Sequence, residues 1–365
     1  MELMNFLLQC LSGASLHAIW YKGCNKCPLS SRSAVFQRSV IHNPRTITVA
    51  NFGSASARLA GGFLVLGTVA GVCGSRDRAI RTACITAAKH LNSSKATDNI
   101  SRASTSSCGA MEVVRVPCLS DNYVWLLHEP SSGRTAVVDP AELHPVVSEL
   151  ERRGWSLDAI LNTHHHWDHV GANMDLKRRF PHCTVVGPRA DQDRIPGIDT
   201  QVGEGDTWRF GVLDVRVFDT PGHTRGHITY WIPQSNALFP GDTLFALGCG
   251  RLFEGSPRQM WSSLSKLLPL PDHTRVYCAH EYTEANAKFA VTVDPHNRLL
   301  AERKGRVEAA RMKGEATVPS TLGEEKATNP FLRPGDPAIR KQMGLGPGAE
   351  DWEVFAAIRA AKDQF

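Results

Sequence analysis

A dense group of histidines with one aspartate lies between Thr163 and His169, where the chain reads Thr-His-His-His-Trp-Asp-His. Buried imidazoles and carboxylates are costly unless they are paired or bound to a metal, so this density rarely serves packing. In an extended backbone His164 and His166 point to the same side, and a following helical turn directs Asp168 and its neighbour to a second position. The spacing therefore favours two metal ions over one.

The flanking residues predict where this group lies in a fold. Residues 157–161 form a short apolar run that is typical of a buried strand, and Ala172, Leu176 and Phe180 recur at the spacing of a following helix. The histidine group thus lies at the carboxyl end of a strand, where open α/β sheets usually place their ligands.

Three more candidate ligands each follow a predicted strand. His223 lies in a turn rich in Gly and Pro, Asp242 follows the apolar run 237–239, and His280 follows the run 275–277. A single loop histidine is usually not a ligand, and an aspartate in Gly-Asp-Thr usually forms a turn. Seven residues of ligand type in this order make a metal site the preferred interpretation.

The charge of the chain is unevenly distributed. Its 365 residues, 42% of them hydrophobic, are enough for two ordinary globular domains. Residues 1–110 carry 12 Lys and Arg against 3 acids, whereas the remainder carries 29 against 33, so the net charge of +5 comes from the leader. A basic leader poor in acids is typical of an organellar transit peptide, with a disordered tail as the alternative. The acidic remainder gives no support to nucleic-acid binding.

The apolar run of the leader and the cysteines that follow the leader indicate whether the chain inserts into a membrane and which compartment it occupies. Its apolar run 59–73 has 15 residues, fewer than the roughly 20 that span a bilayer, so we expect no stable membrane insertion. The four cysteines after the leader are scattered, which favours a reducing compartment over a disulfide framework. We expect the mitochondrial matrix, with the plastid as the alternative.

From residue 111 onward short strands are mixed with helices, which predicts an α/β or α+β domain. The expected strands cover 113–116, 124–127, 135–138, 157–161, 184–186, 214–218, 227–232, 237–239 and 275–278. After Glu281 the strand pattern stops, and helices are expected over 284–291, 298–313 and 351–362. The chain therefore divides into a leader (1–110), a mixed domain (111–281) and a helical domain (282–365).

The ordered motifs resemble the metallo-β-lactamase superfamily and, within it, the glyoxalase II or hydroxyacylglutathione hydrolase family. The resemblance is carried by residues 163–169, Gly-Asp-Thr-Leu-Phe at 241–245, Cys-Ala-His-Glu-Tyr-Thr at 278–283 and the terminal Lys-Asp-Gln-Phe. It covers about residues 111–365. It implies an α+β fold, a four-layer αββα sandwich followed by a small all-helical domain that helps to bind glutathione.

The resemblance also implies a ligand set for two divalent metals, three side chains on each and one that bridges them. These are His164, His166 and His223 on the first metal, Asp168, His169 and His280 on the second, and Asp242 between them. Zinc is the expected metal, with iron or manganese as alternatives, because N/O ligands of this kind accept each of them. Two such metals lower the pKa of a shared water so that hydroxide can attack a thioester carbonyl, with Asp168 and Asp242 as catalytic residues.

The substrate implied by the resemblance is S-(2-hydroxyacyl)glutathione, typically S-D-lactoylglutathione, which is hydrolysed in the second step of methylglyoxal degradation. Glutathione has two carboxylates, so its site should offer cations and hydrogen-bond donors. The matching substrate-binding residues are Arg251, Phe253, Tyr282, Arg359 and Lys362. Arg251 and Phe253 replace a lysine and a tyrosine usual in the family, which affects the expected affinity and leaves the chemistry unchanged. We expect a monomer.

Two other classes of function stay open. A mononuclear-iron enzyme similar to persulfide dioxygenases would share many of the ligands, and a non-catalytic glutathione-binding protein could have the same fold. The three candidate glutathione contacts Tyr282, Arg359 and Lys362 argue against the first, and the complete ligand set argues against the second. We expect His165, Trp167 and His227 to surround the ligands or to pack, rather than to bind metal.

Overall fold

The computed structural model describes residues 111–365, and the basic leader with its apolar run 59–73 lies outside this part. The strands within it are β1 Glu112–Cys118, β2 Asn122–Glu129, β3 Arg134–Val138, β4 Ala159–Leu161, β5 Thr184–Pro188, β6 Thr200–Val202, β7 Thr207–Phe210, β8 Leu213–Asp219, β9 Ile228–Ile232, β10 Ala237–Phe239, β11 Leu244–Phe245, β12 Gly248–Cys249, β13 Arg275–Val276 and β14 Ser320–Thr321. The α-helices are α1 Leu143–Arg153, α2 Trp167–Val170, α3 Asn173–Arg179, α4 Pro257–Leu267, α5 Thr283–Val293, α6 Arg298–Met312, α7 Leu322–Thr328, α8 Pro337–Gln342 and α9 Asp351–Gln364.

Twelve of these strands form two sheets of six. The first sheet has the order β1-β2-β3-β4-β5-β6, and the second has the order β14-β13-β10-β9-β8-β7. The short strand β4 pairs in parallel with both β3 and β5, so its carboxyl end lies between the carboxyl ends of those two strands. The two remaining strands, β11 and β12, form a hairpin of their own.

The two sheets face each other across a common core. Alternation along β2 places Trp125 and Leu127 in this core, while Val124 and Leu126 point to the opposite face. The opposite face of the first sheet is covered by α1 and α3, and that of the second by α4 and α9. The inner strands β4 and β10, which are covered on both faces, are entirely apolar and buried. These layers confirm the predicted α+β class and αββα sandwich.

The residues after Glu281 are mainly helical, as the sequence predicts. They also contribute β14, which the sequence analysis did not anticipate and which pairs with β13 at the edge of the second sheet. Apolar side chains of α5 and α9, including Phe289 and Phe355, join the core beneath that sheet. Within the described residues, no helix combines the length and apolarity that a membrane crossing requires.

Candidate metal centre

The histidine group follows β4 directly, and a change of backbone conformation divides it into two sets of ligands. His164 and His166 lie in the short loop after the strand, whereas Asp168 and His169 lie in the single helical turn α2. The amide of Asn162 holds this turn by donating to the carbonyl of His169 at 2.9 Å. The switch from strand to helix therefore points the two sets at different places.

Three imidazoles converge at the first place. Nδ1 of His166 lies 3.0 Å from Nε2 of His164 and 3.0 Å from Nε2 of His223. His164 and His223 are buried, and burial lowers the pKa of all three imidazoles, that of His166 to about 4. The three rings are therefore neutral at physiological pH, which is the form that binds a metal.

Asp168, His169 and His280 converge at the second place. Their ligand atoms lie within 4.8 Å of one another, and Nε2 of His169 lies 3.5 Å from Oδ2 of Asp168. Nε2 of His280 lies 3.6 Å from the same carboxylate oxygen. Asn122 holds this carboxylate by donating its amide to Oδ2 at 3.1 Å.

Asp242 lies between the two groups. Its Oδ2 is 3.3 Å from Nε2 of His223 in the first group, and its Oδ1 is 3.5 Å from Nε2 of His169 and 3.4 Å from Nε2 of His280 in the second. One carboxylate thus presents one oxygen to each group. This is the arrangement expected of a bridging ligand.

The donor set fits divalent metals. In the described part of the chain, Nε2 of His169 and Oδ1 of Asp242 are both buried without a hydrogen-bond partner. Buried polar atoms without partners are rare because they are costly, and a metal between them would satisfy both. The five imidazoles and two carboxylates also match the N/O ligation of zinc, iron and manganese.

The outer nitrogens of the candidate ligands are held by groups that the sequence analysis did not identify. Asp139 accepts from Nδ1 of His169 at 3.1 Å, and Asp121 accepts from Nδ1 of His280 at 2.8 Å. Nδ1 of His223 donates to the carbonyl of Arg251 at 2.8 Å. Such contacts fix the tautomer and orientation of a metal-binding imidazole. Asp139 follows the predicted strand 135–138, the same sequence context that identified Asp242.

His227 shows the surrounding role expected of it. Its Nε2 accepts from the backbone N–H of Asp242 at 3.1 Å, and its Nδ1 contacts the hydroxyls of Thr220 and Thr243. The ring is buried and holds Asp242 in place. The side chain of Trp167 is 68% exposed, so it neither binds metal nor packs in the core.

A cavity of about 490 Å³ opens from the metal centre, and all five predicted substrate-binding residues line it. Phe253 is exposed, and its ring centroid lies 5.1 Å from that of His223. Tyr282 stacks on His280 with ring centroids 4.7 Å apart. Phe253 thus lies beside a candidate ligand of the first metal, and Tyr282 lies beside a candidate ligand of the second.

The two cations of α9 differ in their surroundings. Arg359 is buried and already donates to the carbonyl of Cys249 at 3.0 Å and to Asp363 at 2.9 Å. Lys362 makes one long hydrogen bond, 3.3 Å to the carbonyl of Ala285, and its ammonium lies over the rings of Phe289 and Phe365. Partial burial and the nearby guanidinium groups lower its pKa, so an anion in the cavity would stabilise its charge. Lys362 is therefore more available to a ligand than Arg359.

Comparison with known proteins identifies the family. A family model described as metallo-beta-lactamase superfamily matches residues 120–280, and one described as hydroxyacylglutathione hydrolase C-terminus matches residues 281–365. The hydroxyacylglutathione hydrolase of Methylococcus capsulatus is 58% identical over 255 residues, which cover 70% of this chain and 99% of the relative. Those of Maricaulis maris and Gloeothece citriformis are each 53% identical, covering 68% and 70% of this chain and 96% and 100% of the relative. This chain therefore belongs to the hydroxyacylglutathione hydrolase family, with a metallo-β-lactamase fold followed by the helical C-terminal domain of that family.

Proposed function

We propose that this chain is a thioester hydrolase that converts S-(2-hydroxyacyl)glutathione, typically S-D-lactoylglutathione, to glutathione and a 2-hydroxy acid in methylglyoxal degradation. The observation that carries the proposal is the position of Asp242 between two groups of ligands at the end of a cavity with cationic residues. The relatives from Methylococcus capsulatus and Maricaulis maris, which match this chain over 99% and 96% of their own length, are named for the same reaction.

Membership of this family implies divalent metal binding, and we propose two ions, with zinc as the expected metal. One ion would be held by His164, His166 and His223, and the other by Asp168, His169 and His280. Asp242 would bind both ions. When bound, such ions make a water nucleophilic near neutral pH and polarise a carbonyl.

The residues of the chain orient the reactants around that centre. Asp168 is half-buried at the cavity wall. Burial alone would raise its pKa, but the nearby imidazole of His169 and a hydrogen bond from Asn122 outweigh that effect and lower it. It therefore remains an acceptor at physiological pH and can orient an attacking water. A glutathione thiolate is a good leaving group, so we assign no separate acid.

At the other end of the cavity, Arg251 and Lys362 supply positive charge for a carboxylate of glutathione. Phe253 and Tyr282 offer aromatic faces beside the metal centre, and Arg359 fixes the carbonyl of Cys249 in the cavity wall. Together with the metal ligands, these contacts would place the thioester carbonyl over the centre and the peptide toward α9.

The direct test is release of free thiol from S-D-lactoylglutathione by the metal-replete protein, together with analysis of bound metal. We expect thiol release and two metal ions per chain, predominantly zinc. A metal-replete protein that releases no thiol would refute the proposed reaction.

A mononuclear-iron dioxygenase is not favoured, because the relatives at 53–58% identity carry the hydrolase name. Oxygen uptake with glutathione persulfide would still separate the two reactions. A non-catalytic glutathione-binding protein is contradicted by thiol release and supported if metal and glutathione bind without turnover.

We also propose that residues 1–110 direct the chain to the mitochondrial matrix, with a plastid as the alternative. In the remainder, 111–281 would act as the catalytic domain and 282–365 as the glutathione-binding domain. We propose that the protein is a monomer. The basic composition of the leader supports import. Organelle fractionation of a tagged full-length chain tests the compartment, and light scattering on the purified protein tests the monomer.

A further inference from the structure

A network of charged side chains lies beside the metal centre, on residues that bind no metal in the proposed assignment. Arg194 lies at its middle, at the end of the 3₁₀ helix Arg189–Arg194. It forms a two-point contact with Glu254, from its Nη1 to Oε1 at 2.5 Å and from its Nη2 to Oε2 at 3.1 Å. Nη2 also donates to Oδ1 of Asp191 at 2.5 Å. A planar guanidinium is suited to joining two carboxylates in this way.

The same network reaches the loop that carries the metal ligands. Nη1 of Arg194 donates to Nε2 of His165 at 3.1 Å. The ring proton of His165 therefore lies on Nδ1, which donates to Oδ2 of Asp191 at 3.0 Å. The side chain of Asp191 is 1% exposed. Because His165 lies between the candidate ligands His164 and His166, its anchoring restrains the backbone from which both project.

Glu254 connects the network to the segment that lines the substrate cavity. It follows Phe253 directly and accepts from the backbone N–H of Arg225 at 2.8 Å. On either side of it, the N–H of Phe253 donates to the carbonyl of His223 at 3.2 Å, and that of Gly255 donates to Gly222 at 3.0 Å. The segment 251–255 is therefore held against the turn that bears His223, and Arg194 ties both to the ligand loop.

We propose that Arg194 is a positioning residue that holds segment 251–255 over the metal centre and thereby sets how tightly the thioester is bound. Arg194 does not line the cavity, whereas Arg251 and Phe253 do. Its effect on substrate is exerted through Glu254. This inference rests on the proposed function for its kinetic part.

The test compares Arg194→Ala with Arg189→Ala in the metal-replete full chain. Arg189 lies at the start of the same 3₁₀ helix and pairs with Asp206 at 2.6 Å, but it has no contact with the network. We expect Arg194→Ala to raise KM for S-D-lactoylglutathione by about tenfold while kcat changes by less than about threefold, the signature of lost substrate binding. Arg189→Ala should match the wild type in both.

Two further variants distinguish positioning from a general loss of stability. Arg194→Lys keeps the charge but not the two-point contact, so its KM should lie between those of wild type and Arg194→Ala. If Arg194 acts through Glu254, the double variant Arg194→Ala/Glu254→Ala should have a KM no higher than that of either single variant.

Amide hydrogen exchange gives a readout that does not depend on turnover. Arg194→Ala should exchange faster than wild type at Phe253 and Gly255, with Arg189→Ala unchanged. The proposal would be overturned if Arg194→Ala had the same KM as the wild type and the same exchange rates at these amides. A wild-type protein without thiol release would instead refute the proposed reaction, and the exchange result would still decide the role of Arg194.

Discussion

At the residue scale, Asp242 joins the two halves of the candidate site. Its two oxygens face different groups of imidazoles, and one of them is buried without a hydrogen-bond partner. The sequence indicates this residue only by its place after a strand. Its contacts with both groups depend on β10 lying in the second sheet while the histidine group follows β4 in the first.

Replacement of Asp242 by alanine should remove a ligand from both proposed metals. Loss of groups that merely support ligands already costs about 10–100-fold in metal affinity or activity, so we expect turnover to fall by about 100-fold or more. Thiol release and metal content per chain measure the two effects. Asp272→Ala, at an exposed aspartate paired with Lys326, serves as the control. An Asp242→Ala protein with normal metal content and turnover would contradict the two-metal assignment.

At the element scale, short turns after strands place the functional groups. The turn after β10 contains Gly241 in the left-handed region, with φ of 48°. A Cβ there would lie 2.3 Å from Oγ1 of Thr163 and 2.8 Å from Nε2 of His227. Glycine thus lets the turn that carries Asp242 approach the ligand loop closely.

Gly241→Ala should therefore lose both stability and bound metal. The matched control is Gly205→Ala, because Gly205 has a φ of 79° but a Cβ there would meet no atom within 4 Å. The left-handed backbone conformation alone costs an alanine about 1–2 kcal/mol in each variant. Metal analysis and urea unfolding should show loss of metal only in Gly241→Ala. Equal metal content in the two variants would show that the close approach at Gly241 is unimportant.

Glu129 shows how a turn gives the fold a pH dependence. Its carboxylate accepts from the backbone N–H groups of Ser131 and Ser132, at 2.7 Å and 2.9 Å, in the turn between β2 and β3. Burial by itself raises its pKa, but these hydrogen bonds prevail and lower the pKa from 4.5 to about 2. In the unfolded chain the carboxyl keeps its ordinary pKa, so the unfolded state binds a proton first as the pH falls.

The stabilising contribution of Glu129 should be complete above pH 4.5 and should disappear between pH 4.5 and about 2. Glu129→Gln should lower the free energy of unfolding at pH 7 by about 1–3 kcal/mol, because a charged acceptor is lost. Urea unfolding from pH 7 downward measures both. The difference between wild type and variant should shrink as the pH falls through this window, and a constant difference would exclude this carboxylate as its source.

At the scale of the whole molecule, the helices after Glu281 support the cavity from beneath. Glu325 of α7 is fully buried, pairs with Arg303 of α6 and accepts from the N–H of Leu247 at 2.8 Å. Leu247 lies in the turn of the hairpin β11–β12, which leads from Asp242 to the cavity wall. A buried ion pair therefore connects the helical part to the segment that follows Asp242.

Loss of Glu325 should destabilise the protein because it leaves Arg303 buried with a weaker partner. We expect Glu325→Ala to lower the free energy of unfolding by about 3 kcal/mol, the lower end for a broken buried pair because Glu324 stays 3.4 Å from Arg303. Lys326→Ala, which breaks an exposed pair one residue away, should cost less than about 1 kcal/mol. Urea unfolding compares them, and equal losses would rule out burial as the cause.

The sequence by itself determined the strands, the main helices and the ligand candidates of this protein, because these depend on local periodicity and on polar residues directly after strands. It did not predict β6, β7, β11, β12 or β14, which are short and gain their pairing partners only in the folded chain. Only the tertiary structure decided which oxygen of Asp242 faces which imidazoles, that Asp139 and Asp121 hold the ligand rings, and that Arg194 joins the ligand loop to the substrate segment. These contacts connect residues far apart in the chain, and their distances follow from how the two sheets pack rather than from any local pattern.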